Sequence, residues 1–397
     1  MKQVLPALLA LLSVQSLVCL AGSVAPVLAT VAAPDLGQDP RLVGILVTVM
    51  FGLAACSSLA CGGVIARFGP VRVSQAALVA SAVGLGGFLG GTPVLLLGSA
   101  ILLGVAYGPS APAASLLLLR LTPPHLLNVV FSIRQTGVPI GVGLAGGILP
   151  PLTLALGWRG AVIATALTCV ALAILLQPLR ARLDAQEISP TAFSLAQLVR
   201  PLRLVWDTPP LRRLVILSFA YSMMQTTVST FLVIYLNEGL GISLVIAGLV
   251  LSVTQATATV SRIGWGVVAD RWLAPRLILG GLGLGMTVSV WLLASFTPTW
   301  PLLAIVAVGA LLGLTAVAWN GVFVAQMARH SPQGQVSQVA GAGGFAAFTG
   351  VTAGPALFTL ILAATDSYAA GFSAMSVLTL AIGLWLLLVP GQEAAKG

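Results

Sequence analysis

Two arginines, Arg134 and Arg262, each interrupt a stretch that is otherwise apolar. An arginine in hydrocarbon costs at least about 2.5–3.5 kcal/mol, so one that persists usually faces a protein cavity and not lipid. Its guanidinium is a planar fork of donors that matches a carboxylate bidentately. The chain has nine acidic residues: Asp35, Asp39, Asp184, Glu187, Asp207, Glu238, Asp366 and Glu393 lie in connections or tails, and Asp270 at the end of an apolar run. No counter-charge is therefore available to the two arginines within the apolar runs, and the chemistry expected of them is recognition of a small anion.

Two alternatives stand beside that reading. Arg262, Gly266 and Asp270 recur every four residues, on one slowly drifting helix stripe. Arg262 turned toward Asp270 or toward helix-end carbonyls would stiffen that helix, and Arg134 could snorkel toward a membrane surface. Other polar residues within apolar runs are candidates of lower rank to line a binding site: Gln15, Tyr107, Gln135, Tyr221, Gln225, Gln255, Trp319 and Asn320. Each of them also has a plain packing role open to it, bonding a neighbouring helix.

The elements that must position these residues are membrane-spanning helices. With 58% hydrophobic and 7% charged residues, the chain lacks the charge a water-soluble surface needs. Runs of about 20 apolar residues, enough to cross a bilayer, occur twelve times: 5–33, 42–66, 73–92, 94–118, 128–153, 158–178, 211–236, 242–268, 276–296, 300–328, 337–362 and 369–390. The expected class is an all-α polytopic membrane protein in two six-helix halves, 1–178 and 211–397, with 179–210 as a central cytoplasmic loop. The start resembles a secretory signal peptide, but its apolar run is too long and eleven more follow, so it is read as a retained first helix.

Orientation follows from basic residues. With a cytoplasmic N-terminus, fourteen of the eighteen Lys and Arg fall on the cytoplasmic side, Arg41 and Arg159 fall outside, and Arg134 and Arg262 lie within spans. This bias places both termini in the cytoplasm and accounts for the net charge of +9. Nucleic-acid binding is not expected, because no basic cluster is interleaved with exposed aromatics. Cys19, Cys56, Cys61 and Cys169 all sit in apolar runs and read as small buried hydrophobes, not as disulfide or metal ligands.

A repeated signal links the halves. Gly62, Arg67 and Arg72 after the second span match Gly266, Arg271 and Arg276 after the eighth, which points to duplication of a six-span unit. The fifth span carries Gly137-Val-Pro-Ile-Gly141 and runs on to Gly147, and the eleventh carries Gly350 and Gly354-Pro355. Glycines at this spacing allow close helix approach, and proline bends helices.

On these motifs the chain resembles the major facilitator superfamily. Its signature loop, roughly G-x-L-A-D-R-F-G-R-R, is matched at Gly62, Arg67, Phe68, Gly69 and Arg72, and again at Gly266, Asp270, Arg271 and Arg276. Ala66 stands where the first loop's Asp is expected, and Leu273 where the second loop's Gly is. The resemblance implies that these loops gate a secondary transporter, with Asp270 carrying more of the lock. It also implies that Arg134 and Arg262 lie beside a central cavity, where they would bind one substrate from two sides. An arginine in the eighth helix resembles the oxalate/formate and monocarboxylate branches, and the Gly-Pro segments resemble those of exporters.

The expected function is thus alternating-access transport of a small organic anion, a mono- or dicarboxylate, alone or with a coupled proton or counter-substrate. The alternative is export of drug-like or amphipathic compounds. The protein is expected to be a monomer in the plasma membrane, the inner membrane of a bacterium. No P-loop, metal cluster or nucleophile–base pair is present in the sequence, so no enzyme activity, metal or cofactor is expected.

Overall fold

In lipid every backbone N–H and C=O must find a partner within the protein, so long apolar runs fold as helices. The computed structural model describes residues 4–123, 126–184, 202–332 and 335–388, and these are helical wherever they are regular. Lys2, Glu187, Arg200, Glu393 and Lys396 lie outside the described residues, as does most of the expected central loop. By internal contacts the chain forms two compact units. One is Met1–Ser194 with Thr230–Glu238 and Ser243–Ser252, and the other is Leu195–Ser229 with Gly239–Ile242 and Val253–Gly397.

Eleven helical stretches among the described residues are long and apolar enough to cross a membrane. One of them, Ile133–Arg180, has 48 residues, about 72 Å at the helical rise, against a hydrocarbon core of about 30 Å. Gly157 breaks it with a non-helical φ of 72° and ψ of 164°. The fifth and sixth spans meet there, and the twelve expected spans are recovered. Beyond the break Asp35 accepts from Trp158 Nε1 (2.8 Å) and pairs with Arg159, which stacks on the Trp158 ring. That cluster fastens the end of the first span to the start of the sixth.

Helix starts follow turn chemistry. Pro70, Pro93 and Pro275 each stand at the first helical position, where a missing N–H costs nothing. In the first unit the first span (Val4–Gly22 continued by Val24–Asp35) packs on Gly137–Leu175, and Pro93–Leu121 packs on both Val43–Ala60 and Pro70–Gly90. In the second, Pro275–Ala294 packs on Tyr368–Leu388. Exposed large apolar side chains such as Leu154 (75%) and Leu303 (81%) suit a lipid-facing surface.

The glycine segments supply the closest approaches. A Cβ on Gly141 would stand 2.2 Å from the Ser16 carbonyl oxygen, and Cβ atoms on Gly350 and Gly354 would stand 2.1 Å and 2.4 Å from those of Phe219 and Met223. The fifth span thus lies backbone-to-backbone on the first, and the eleventh on the seventh. Of the cysteines, Cys19, Cys61 and Cys169 are buried, but Cys56 is exposed, which corrects the expectation of four buried thiols: it lies on an outward face of Val43–Ala60.

Candidate functional site

In the first unit the contact of Gly137 and Gly141 with the first span carries Arg134 to Gln15. Arg134 is 4% exposed. Its Nη2 donates to Gln15 Oε1 (2.9 Å) and its Nη1 to Gln135 Oε1 (3.2 Å), while Nε is buried without a partner among the described residues. Ser110 Oγ also donates to Gln15 Oε1 (3.2 Å), Gln15 Nε2 donates to Cys19 Sγ (3.2 Å), and Cys19 Sγ contacts the Tyr107 hydroxyl at 3.7 Å. Gln15, Tyr107, Arg134 and Gln135 are therefore one connected cluster from three spans. The guanidinium's partners are neutral, and no acidic residue among the described ones pairs with it.

Cys19 and Ser110 were not singled out as site residues in the sequence. Each is four or three residues from a member of the cluster, Gln15 and Tyr107 respectively, and so lies on the same helix face.

The second unit holds a different arrangement. Gln225 Oε1 accepts from Trp319 Nε1 (2.9 Å) and Asn320 Nδ2 (3.1 Å). The fully buried Tyr221 packs edge-on against Trp319 (ring centroids 5.8 Å apart) and donates its hydroxyl to the Leu279 carbonyl at 2.8 Å. Gln255, 2% exposed, reaches Ser229 Oγ at 3.4 Å. Arg262 directs Nε and Nη2 to the carbonyl oxygen of Val317, both at 3.1 Å. Of the two sequence alternatives for Arg262, the contact is with a backbone carbonyl in mid-span and not with Asp270.

The signature loops also differ from each other. Gly62–Phe68 and Pro70–Gly90 are separate helices joined by Gly69, whose φ of 85° disfavours any side chain. Asp184, which the sequence reading placed in a connection without a role, accepts from the backbone N–H of Val71 (3.0 Å) and Arg72 (2.8 Å). Arg67 lies over the Phe68 ring, and Arg72 reaches Gln75 Oε1 at 3.5 Å. In the second loop Asp270 pairs with Arg329 at 2.9 Å, both largely exposed, and Arg271 ends the helix. A Cβ on Gly266 would meet nothing within 4 Å.

Among the described residues, apolar spans with polar clusters buried between them define an all-α polytopic membrane protein. The sequence model of the Major Facilitator Superfamily matches residues 11–355, and the chain belongs to that superfamily of secondary transporters. Solved structures agree on the fold. A point mutant of the nucleoside transporter NupG superposes with TM-score 0.78 at 14% identity, covering 96% of this chain and 99% of that one. A POT family transporter in complex with thioalcohol-conjugated peptide gives 0.77 at 13% identity, over 96% and 95%. A bacterial homolog of the human lysosomal transporter Spinster, inward-facing and occupied, gives 0.74 at 16%, over 96% and 95%. No protein of curated function matches the sequence.

Proposed function

We propose that this protein is an alternating-access transporter of a small organic anion, a mono- or dicarboxylate, and that Arg134 recognises the anionic charge. The observation that supports the reading is a buried guanidinium held, among the described residues, only by neutral amides, with an idle Nε. Desolvating such a charge costs several kcal/mol, which amide dipoles offset only in part. A bound carboxylate would supply the missing charge and take the fork that Nε and an Nη present. Gln15, Gln135, Ser110 and Tyr107 then orient the anion. The protein works in the inner membrane of a bacterium as a monomer, with both termini cytoplasmic. The acidic residues of the described spans, Asp35, Glu238 and Asp270, stand at span ends, so any coupled proton travels with the cargo or is replaced by a counter-substrate.

The experiment is uptake of labelled carboxylates into proteoliposomes by the parent, Arg134→Gln and Arg134→Lys. Loss of uptake in the Gln variant and partial retention in the Lys variant are expected. Equal uptake by all three rejects the anion site. Transport of a hydrophobic cation in place of the carboxylates establishes the exporter reading instead.

A further inference from the structure

The tenth span is not a continuous α-helix. Leu302–Leu312 passes into a π turn, Gly313–Val317, before Asn320–Arg329 resumes. A π turn inserts one residue into the helix and withdraws carbonyls from the regular ladder. Inside a membrane those carbonyls need other donors. The eighth span provides them: Trp265 Nε1 donates to the Leu314 oxygen (2.9 Å) and Arg262 Nε and Nη2 to the Val317 oxygen. Arg262 and Trp265 are three residues apart and so project from one face of that helix. Two close approaches hold the helices in register, since a Cβ on Gly313 would stand 2.1 Å from the Thr254 oxygen and one on Gly321 3.2 Å from the Arg262 oxygen.

The inserted residue determines where the next side chains point. Relaxing the π turn to α would rotate everything after it by about 100° around the helix axis. Trp319 and Asn320, which both donate to Gln225, follow the turn directly.

We propose that Arg262 and Trp265 are positioning residues. Their side-chain donors hold Gly313–Val317 in its π form, and that form delivers Trp319 and Asn320 to Gln225. Arginine fits the role because Nε and Nη2 reach one oxygen together, whereas lysine offers a single compact donor. The clasp does not rest on the function proposed above.

The test uses the full-length protein in detergent with 15N-labelled tryptophan. The eight tryptophans give indole N–H resonances, of which Trp319 is assigned by its loss in Trp319→Phe. Gln225→Leu, which removes the acceptor, sets the direction in which the Trp319 resonance moves when its hydrogen bond is broken. Arg262→Gln and Trp265→Phe are expected to move it the same way, and Arg262→Lys to move it part of that distance. A Trp319 resonance unchanged in both Arg262→Gln and Trp265→Phe, with the other indoles still dispersed, overturns the proposal. If Arg262→Gln does not fold, Trp265→Phe alone decides. Arg134→Gln is measured alongside: it should leave Trp319 unmoved while abolishing carboxylate uptake. Uptake that survives in that variant removes Arg134 as the anion site without touching the clasp.

Discussion

The carboxylate of Asp184 sits astride the first N–H groups of the third span, taking Val71 at 3.0 Å and Arg72 at 2.8 Å. A helix N-terminus carries partial positive charge, and a carboxylate there is favourable. The first signature loop lacks its expected acid, having Ala66 in that place, yet an acid reaches the loop from the end of the sixth span. Gly69 makes room for it: a Cβ there would stand 2.3 Å from the Asp184 carboxyl carbon.

Removing this cap should be measurable. Asp184→Ala is expected to lower thermal stability by about 0.5–2 kcal/mol, the usual cost of a lost helix cap. Gly69→Ala should cost at least as much, because it adds positive-φ strain to the clash. Thermal unfolding in detergent checks both; a Gly69→Ala variant as stable as the parent would contradict the geometry.

Arg134→Gln should behave differently. The variant removes a buried charge that no described acid balances, so its melting temperature without cargo should equal or exceed that of the parent. Carboxylate present at about a hundred times its dissociation constant should stabilise the parent by about 2.7 kcal/mol and leave the variant unchanged. Thermal shift with and without carboxylate reads both effects.

The glycines divide into two kinds. Gly141→Ala and Gly354→Ala each push a methyl group into a facing backbone carbonyl and should cost about 1–3 kcal/mol. Gly266→Ala meets open space and, in a helix interior, should gain about 0.5–1 kcal/mol. If Gly266→Ala nevertheless slows transport, the requirement for glycine belongs to another conformation of the protein. Unfolding temperatures and initial uptake rates on the same three variants separate the cases.

The Asp270–Arg329 pair is largely exposed. Asp270→Asn should change stability by no more than about 1 kcal/mol, and less still at high salt. Unfolding curves at low and high ionic strength give the comparison; a salt-independent loss of several kcal/mol would mean the pair does more than its exposure implies.

What the sequence made legible was set by hydrophobic length and by charge in the wrong place. Apolar runs located the spans, including the two that meet at Gly157, and seven of the low-rank polar residues share clusters: Gln15, Tyr107 and Gln135 with Arg134, and Tyr221, Gln225, Trp319 and Asn320 with one another. The π turn was not legible. Gly313-Leu-Thr-Ala-Val317 has no residue type that distinguishes it from ordinary helix, and its form depends on donors 49 and 55 residues away in the chain. Asp184 was equally opaque, since its partners are backbone groups more than a hundred residues earlier. Trp265 could have been found, lying one helical turn after Arg262, but its indole looked like any other apolar surface.

Laying Gly137 and Gly141 over Gly350 and Gly354 brings Arg134 onto Ala347. The two repeats have kept a common joint and parted over what stands beside it: a cation in one, a methyl group in the other. Their resemblance is therefore one of helix contact and not of charge, and a hybrid assembled from two copies of the later repeat would keep the close glycine contacts while lacking the buried cation.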